Sequence, residues 1–260
     1  MRRGFPAAAL AAILLLGQAP AARAFQKGGE PPKDCRECHT LTADEAARIL
    51  GGAVDNVIAV LPGPFPGIFE VDVRKEGKTY PLYLDYSGSY LFNGQIVRMS
   101  DRENLTGLRY LDLNRIDVST IPLDNAVVIG NPEAKKRVIV FDDPDCAWCK
   151  KLHGEILQVV KEDPGVAFFI RVYSRNGNPG TVRKALSIVC GKNDSAKRLE
   201  EAFAGKTLPP PDCQTNAVEE TARIAARLGI EGTPAMVLPD GRLIGGFLQA
   251  EALLELLGGM

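Results

Sequence analysis

The chain has 260 residues, 45% of them hydrophobic and 24% charged, with a formal net charge of −1. This is the composition of a soluble globular protein, and the length suffices for about two ordinary domains. The near-zero charge excludes an electrostatic case for a nucleic-acid partner or an anionic membrane surface, and no repeat or low-complexity block stands out.

The N-terminal segment differs from the rest. Arg2 and Arg3 make a short basic start, residues 7–16 are an apolar run, and Ala22-Arg23-Ala24 places small residues where a signal peptidase reads. This layout predicts a cleaved secretory signal peptide over residues 1–24, with a retained membrane anchor as the weaker alternative, because the apolar run is too short to span a bilayer. No later stretch is apolar for about 18 residues. The mature chain is therefore expected in the periplasm or outside the cell, where disulfides persist.

Residues 26–34 are polar, contain Gly28-Gly29 and Pro31-Pro32, and read as a loose arm. Thr42 and Glu45 have the spacing of a capping box and predict a helix that runs to Leu50 and stops at Gly51-Gly52. Strand-like runs follow at 54–61, 68–74, 79–84, 90–92 and 95–99, separated by turn residues such as Pro62-Gly63-Pro64 and Glu76-Gly77. One helix and an antiparallel meander make a small α+β domain over residues 25–100. Residues 101–123 are mixed and less periodic, and read as a partly helical connection.

The remainder, residues 124–260, changes character. Residues 137–141 form the nearly continuous apolar run of a buried central strand. A helix is expected over 146–160, a strand over 166–173, and a helical block from 181–190, 195–204 and 215–228. Strands at 235–238 and 243–247 flank the turn Pro239-Asp240-Gly241, and a last helix covers 250–257. This is an α/β order built on one βαβ unit.

Within it, Cys146-Ala147-Trp148-Cys149 follows a buried strand and opens a helix. The unpaired N–H groups and positive dipole end of such a helix favour a thiolate. Cys146, at the helix end, is the candidate nucleophile, and Cys149, one turn in, the candidate resolving thiol. Lys150, Lys151 and His153 lie just beyond and either add positive charge to the thiolate or form a solvated helix surface. A zinc half-site and an inert structural disulfide are the alternatives; zinc needs a second ligand pair, and Cys190 and Cys213 are too far apart in sequence to provide one.

At these residues the sequence resembles the DsbC/DsbG-type disulfide isomerases. The resemblance is carried by Gly130-Asn131-Pro132-Glu133-Ala134, Val138-Ile139-Val140-Phe141, the run from Asp143 to His153, and Gly232-Thr233-Pro234-Ala235. It covers the chain from Val128 onward, whereas the N-terminal half is similar to the family's small domain in size and strand order. The resemblance implies an α/β thioredoxin fold with a helical insert at about 180–228, preceded by a small α+β, cystatin-like N-terminal dimerisation domain. It implies a cis Pro234 packed beside the cysteine pair, with Thr233 and Trp148 contacting substrate. It also implies a V-shaped homodimer with active sites facing a cleft and a membrane electron donor of the DsbD type; the expected substrates are misfolded exported proteins. The sequence departs from the family at Ala147-Trp148, where relatives carry Gly-Tyr or Pro-Tyr, and at Asp142, where Thr is commoner.

Four further cysteines remain of the six. Cys190 and Cys213 flank a segment with Pro209-Pro210-Pro211 and read as a structural disulfide tying the insert. Cys35-Arg36-Glu37-Cys38-His39 matches the attachment motif of c-type haem, with His39 as the axial ligand and Met99 or Met236 as distal partners. A local disulfide or second redox pair at Cys35 and Cys38 is the favoured alternative, and a metal site the least favoured; otherwise no cofactor or metal is expected. The leading function is disulfide isomerase or reductase. The alternatives are a DsbA-like oxidase, a haem-linked electron-transfer protein and a chaperone.

Overall fold

The structure is a computed structural model that describes residues 38–258; the expected signal peptide and Cys35 lie outside them. Thr42 opens helix α1 (Ala43–Leu50) with a reciprocal cap. Its hydroxyl accepts from the Glu45 N–H at 3.2 Å, and the Glu45 carboxylate accepts from the Thr42 N–H at 2.9 Å. An antiparallel meander follows: β1 (Asn56–Pro62), β2 (Ile68–Lys75), β3 (Lys78–Asp85) and β4 (Leu91–Phe92), in that spatial order. The alternating residues Phe69, Val71 and Val73 of β2, with Leu82 and Leu84 of β3, are buried together with Ala46 and Leu50 of α1 as a small core.

Strands β5 (Val97–Arg98) and β6 (Glu103–Asn104) make a two-stranded ribbon, and α2 (Leu105–Leu113) follows, capped by the Asn104 side chain. Helix α2 packs on β3. Arg109 pairs with Glu70 and with the buried Asp72, while the Asn114 side chain bonds both the N–H and the carbonyl of Thr79. Helix α2 is thereby tied to the N-terminal sheet, because the carboxylates of β2 take their cation from that helix. The stretch 114–126 leads from α2 to β7 (Val127–Gly130). It is tied early to the C-terminal half: the Ile116 N–H donates to the Gly241 carbonyl at 2.8 Å. Gly241 has φ 89°, and a Cβ there would sit 2.3 Å from the Ile116 carbonyl oxygen, so this docking requires glycine.

The C-terminal unit runs β7 (Val127–Gly130), β8 (Lys136–Asp142), α3 (Ala147–Glu162), β9 (Val166–Val172), α4 (Pro179–Cys190), α5 (Ser195–Phe203), α6 (Ala217–Arg227), β10 (Ala235–Val237), β11 (Leu243–Gly245) and α7 (Ala250–Gly258). The sheet order is β11-β10-β8-β9-β7, with β8 and β9 parallel and the other pairs antiparallel. Every residue of β9 and residues 138–142 of β8 are buried, as central strands covered on both faces must be. Strand β7 is an addition to the sequence-derived order. Helices α4 to α6 form the insert between β9 and β10, and Cys190, at the end of α4, is disulfide-bonded to Cys213 with 5.5 Å between the Cα atoms.

That bond closes a loop with a sequence separation of 23. Replacing Cys190 and Cys213 together by alanine is expected to lower stability by about 3 kcal/mol, read as an earlier midpoint in urea unfolding. An unchanged midpoint would show that the bond does not restrain the unfolded chain.

Candidate active site

Topology assembles the site. Strand β10 is antiparallel to β8, with Ala235 opposite Phe141, so the start of β10 lies beside the end of β8. The loop leaving β8 carries Asp143 to Cys146, and the loop entering β10 carries Thr233 and Pro234, joined by a cis peptide bond. Cys146 is the N-cap of α3. Its Sγ accepts from the Cys149 N–H at 3.3 Å and donates to the Thr233 carbonyl at 3.3 Å. An N-cap sulfur thus satisfies one of the N–H groups that a helix start leaves unpaired. Cys146 is partly exposed, whereas Cys149 is fully buried.

The loop is held by Asp143, whose carboxylate accepts from the Asp145 N–H at 2.9 Å and the Arg175 N–H at 2.9 Å. Asp145 in turn binds the Thr181 hydroxyl at 2.6 Å and pairs with Lys184, which anchors the loop to α4. A groove beside Cys146 is lined by Asp145, Trp148, Ser174, Arg175, Asn178 and Thr233. Trp148 is 54% exposed, lies 5.8 Å from the Phe247 ring, and carries the Lys151 ammonium 4.1 Å above it.

The two sulfurs sit in different surroundings. Burial pushes the Cys149 thiol up, and the Asp142 charge and the bond with Cys146 add to this. Asp142 ends β8 with no exposure, and burial pushes its carboxyl up to about 7. Tyr173, at the end of β9, is pushed up to about 12, first by burial and then by Asp143 and Cys149.

The sequence-predicted residues Cys146, Cys149, Trp148, Thr233 and Pro234 come together here, and Cys190 and Cys213 lie apart in the insert. His153 does not act as expected. It is buried against Phe203 at 5.3 Å, and burial lowers its pKa, so it is neutral at pH 7 and adds no charge at Cys146. The Lys151 ammonium lies over Trp148. The Cys35 motif is only partly within the described residues. His39 is stacked on Tyr86 at 4.4 Å, and Met236 is fully buried in β10, out of reach as a distal ligand. Among the described residues no group of three or more metal-ligating side chains occurs, and no helix is long and apolar enough to cross a membrane. Sequence reasoning missed Phe247 as the neighbour of Trp148, and it noted Asp142 only as a departure from a family pattern. An acid closing an otherwise apolar strand was the available signal.

A family model described as a thioredoxin-like domain matches residues 123–260, and one described as the disulfide bond isomerase protein N-terminal domain matches residues 41–107. The chain is 28% identical over 197 residues to a probable thiol:disulfide interchange protein DsbC of Bordetella avium, covering 75% of this chain and 67% of that relative. It is 26% identical over 179 residues to the thiol:disulfide interchange protein DsbC of Escherichia coli K12, covering 68% of this chain and 72% of that one. A solved disulfide interchange protein from Neisseria gonorrhoeae is 27% identical and aligns over 54% of this chain and 97% of its own, with a TM-score of 0.46. A partly exposed thiol at a helix start, a buried partner thiol one turn on, and these two matched domains have one common reading: the chain belongs to the thioredoxin-like family, as a thiol–disulfide exchange enzyme of the DsbC isomerase type.

Proposed function

We propose that Cys146 is the nucleophile and Cys149 the resolving thiol of a disulfide isomerase acting on misfolded exported proteins. The observation that carries this is the asymmetry of the pair, with Cys146 reachable at the cap of α3 and Cys149 buried behind it. The Cys146 thiolate attacks one sulfur of a substrate disulfide, a new S–S bond forms, and the other substrate sulfur leaves as a thiolate. A second substrate thiol then displaces Cys146 and leaves a rearranged substrate, or Cys149 displaces the substrate and leaves an enzyme disulfide. Thr233 and Pro234 form the wall against which an extended substrate segment lies, and Trp148 with Phe247 offers an apolar shelf.

The active unit in this reading is a homodimer joined through the N-terminal units. The edge strand β4 supports it, because Tyr90, Leu91 and Phe92 are 76%, 50% and 51% exposed there. The N-terminal unit also favours the isomerase over a DsbA-like oxidase. The protein works in the periplasm after removal of residues 1–24, and a membrane donor of the DsbD type keeps the pair reduced. We assign no cofactor to the exchange. Cys35 and Cys38 are read as a local disulfide or a second redox pair; Cys38 is a free, exposed thiol, which favours the redox pair, and the stacking of His39 on Tyr86 supports a structural place for that ring rather than a haem ligand.

Trapping tests the assignment. The Cys149→Ser protein, incubated with a scrambled disulfide-bonded protein, is expected to accumulate a mixed disulfide visible on a non-reducing gel and lost on reduction. An adduct of equal yield when Cys146 is also replaced by alanine would refute Cys146 as the nucleophile.

A further inference from the structure

The groove beside Cys146 has spent its acceptors and kept its donors. The buried Asp143 carboxylate is taken by the N–H groups of Asp145 and Arg175, both at 2.9 Å. The Asp145 carboxylate is taken by the Thr181 hydroxyl at 2.6 Å and by the Lys184 ammonium. The Asn178 side-chain carbonyl caps α4, accepting from the Gly180 N–H at 2.8 Å and the Thr181 N–H at 3.3 Å. The Thr233 carbonyl accepts from Cys146.

The donors are in the opposite condition. Arg175 lines the groove, is exposed, and pairs with no carboxylate among the described residues. The Asn176 side chain beside it has no hydrogen bond among them either. Ser174 is 7% exposed; its hydroxyl accepts from the Asn178 N–H at 3.1 Å, and its own proton goes to no described group. A guanidinium fork, an amide and a buried hydroxyl proton in one groove are complementary to a ligand made of acceptors, above all a carboxylate. Charge agrees with this. Lys184 neutralises Asp145, and Asp143 lies buried with both oxygens bound, so an incoming anion meets Arg175 first. The Lys151 ammonium over Trp148 has the same sign. Across Gly232 and Thr233 the sign reverses, because the exposed Glu231 lines the adjoining cavity.

We propose that this groove is a carboxylate subsite, and that Arg175 selects substrate cysteines with an aspartate or glutamate beside them. The proposal rests on Cys146 being the nucleophile and names the class of substrate that this site prefers. The acidic side chain seats against Arg175, Asn176 and Ser174, while the segment that carries it passes Thr233. Anchoring one residue of the segment holds the neighbouring sulfur at Cys146. The guanidinium suits this task because its planar fork binds both oxygens of a carboxylate. An exposed ion pair of this kind changes binding by about threefold, and a like charge in the same place costs a similar factor. Glutamate against lysine beside the cysteine is therefore a difference of about tenfold.

The test uses the Cys149→Ser protein, which keeps Cys146 and stops at the mixed disulfide. At neutral pH and low salt it is mixed with short peptides whose single cysteine is a pyridyl disulfide, flanked by Glu, Gln or Lys. Release of thiopyridone gives the rate, intact mass gives the adduct, and the rate of a protein also carrying Cys146→Ala is subtracted. The Glu peptide is expected to react about tenfold faster than the Lys peptide, with the Gln peptide between them. The difference should lie in the peptide concentration at half-saturation and shrink as salt is added. Arg175→Glu is expected to reverse the order, Arg175→Gln to abolish it and Arg175→Lys to keep part of it, whereas Glu231→Gln should leave Glu ahead of Lys. An effect of Arg175 on Cys146 reactivity alone would scale all three peptides alike and leave their ratio unchanged. Equal rates for the Glu and Lys peptides before substitution at Arg175, or a ratio that survives Arg175→Glu, overturns the subsite, while adducts at Cys146 uphold the nucleophile. No adduct at Cys146 with any peptide overturns both.

Discussion

Replacing Cys146 by alanine is expected to reduce refolding of a scrambled disulfide-bonded protein to the rate seen without enzyme, a loss of about three orders of magnitude. Cys149 cannot take over, because it is fully buried and its thiol is pushed upward by burial and by the Asp142 charge. Cys38 cannot either, since it lies in the N-terminal unit ahead of α1, away from the groove around Thr233 and Trp148. The assay is recovery of activity of the scrambled substrate in a glutathione buffer, with suppression of aggregation of a cysteine-free unfolded protein measured beside it. Loss of the first with retention of the second separates exchange chemistry from chaperone binding. Refolding unchanged by the substitution would end the catalytic assignment.

The Asp142→Asn protein is expected to be more stable than the parent above pH 7, and to match it near pH 4. The sign follows from proton uptake. In the unfolded chain Asp142 ionises around its ordinary value of 3.8, whereas in the folded chain it keeps its proton up to about 7. Between those values the folded state binds the extra proton, so the parent loses stability as the pH rises through this window. Above about 7 the loss is complete and amounts to about 4 kcal/mol. Cys149 leaves the window undisturbed, because its ordinary value is 9.0 and burial moves it higher. Urea unfolding of both proteins at pH 4 and pH 8 measures the effect. An equal difference in stability at the two values would mean that Asp142 is not a buried titrating carboxyl.

Much of this was legible in the sequence, and the exceptions share a cause. Helix α1 was readable because Thr42 and Glu45 satisfy each other within three residues. Strand β8 was readable because both its faces are covered, which leaves a continuous apolar run, and Cys146 and Cys149 were readable because strand, cysteine pair and helix follow one another directly. Strand β7 was missed because it has four residues and becomes a strand only by pairing with β9. Helix α2 was blurred because none of its residues is fully buried; a salt bridge from Arg109 to Asp72 holds it, and no periodicity announces that. His153 was grouped with Lys150 and Lys151 as positive charge or solvated surface, but its side chain points inward, and burial disfavours the charge that local spacing suggested. Asp142 was visible as an odd residue, yet its solitude depends on how α3 and β9 close over it. What the sequence leaves hidden is, in each instance, a partner supplied from far along the chain.

Trp148 is the only tryptophan in the chain, and it stands between the two cysteines with Phe247 on one side and the Lys151 ammonium over its ring. All indole emission of the protein therefore originates at the place where the S–S bonds change. A disulfide closing next to it, or a substrate segment settling on it, alters the quenching of that single fluorophore. The enzyme carries its own optical probe, and the redox state and occupancy of its active site can be followed in real time without a label.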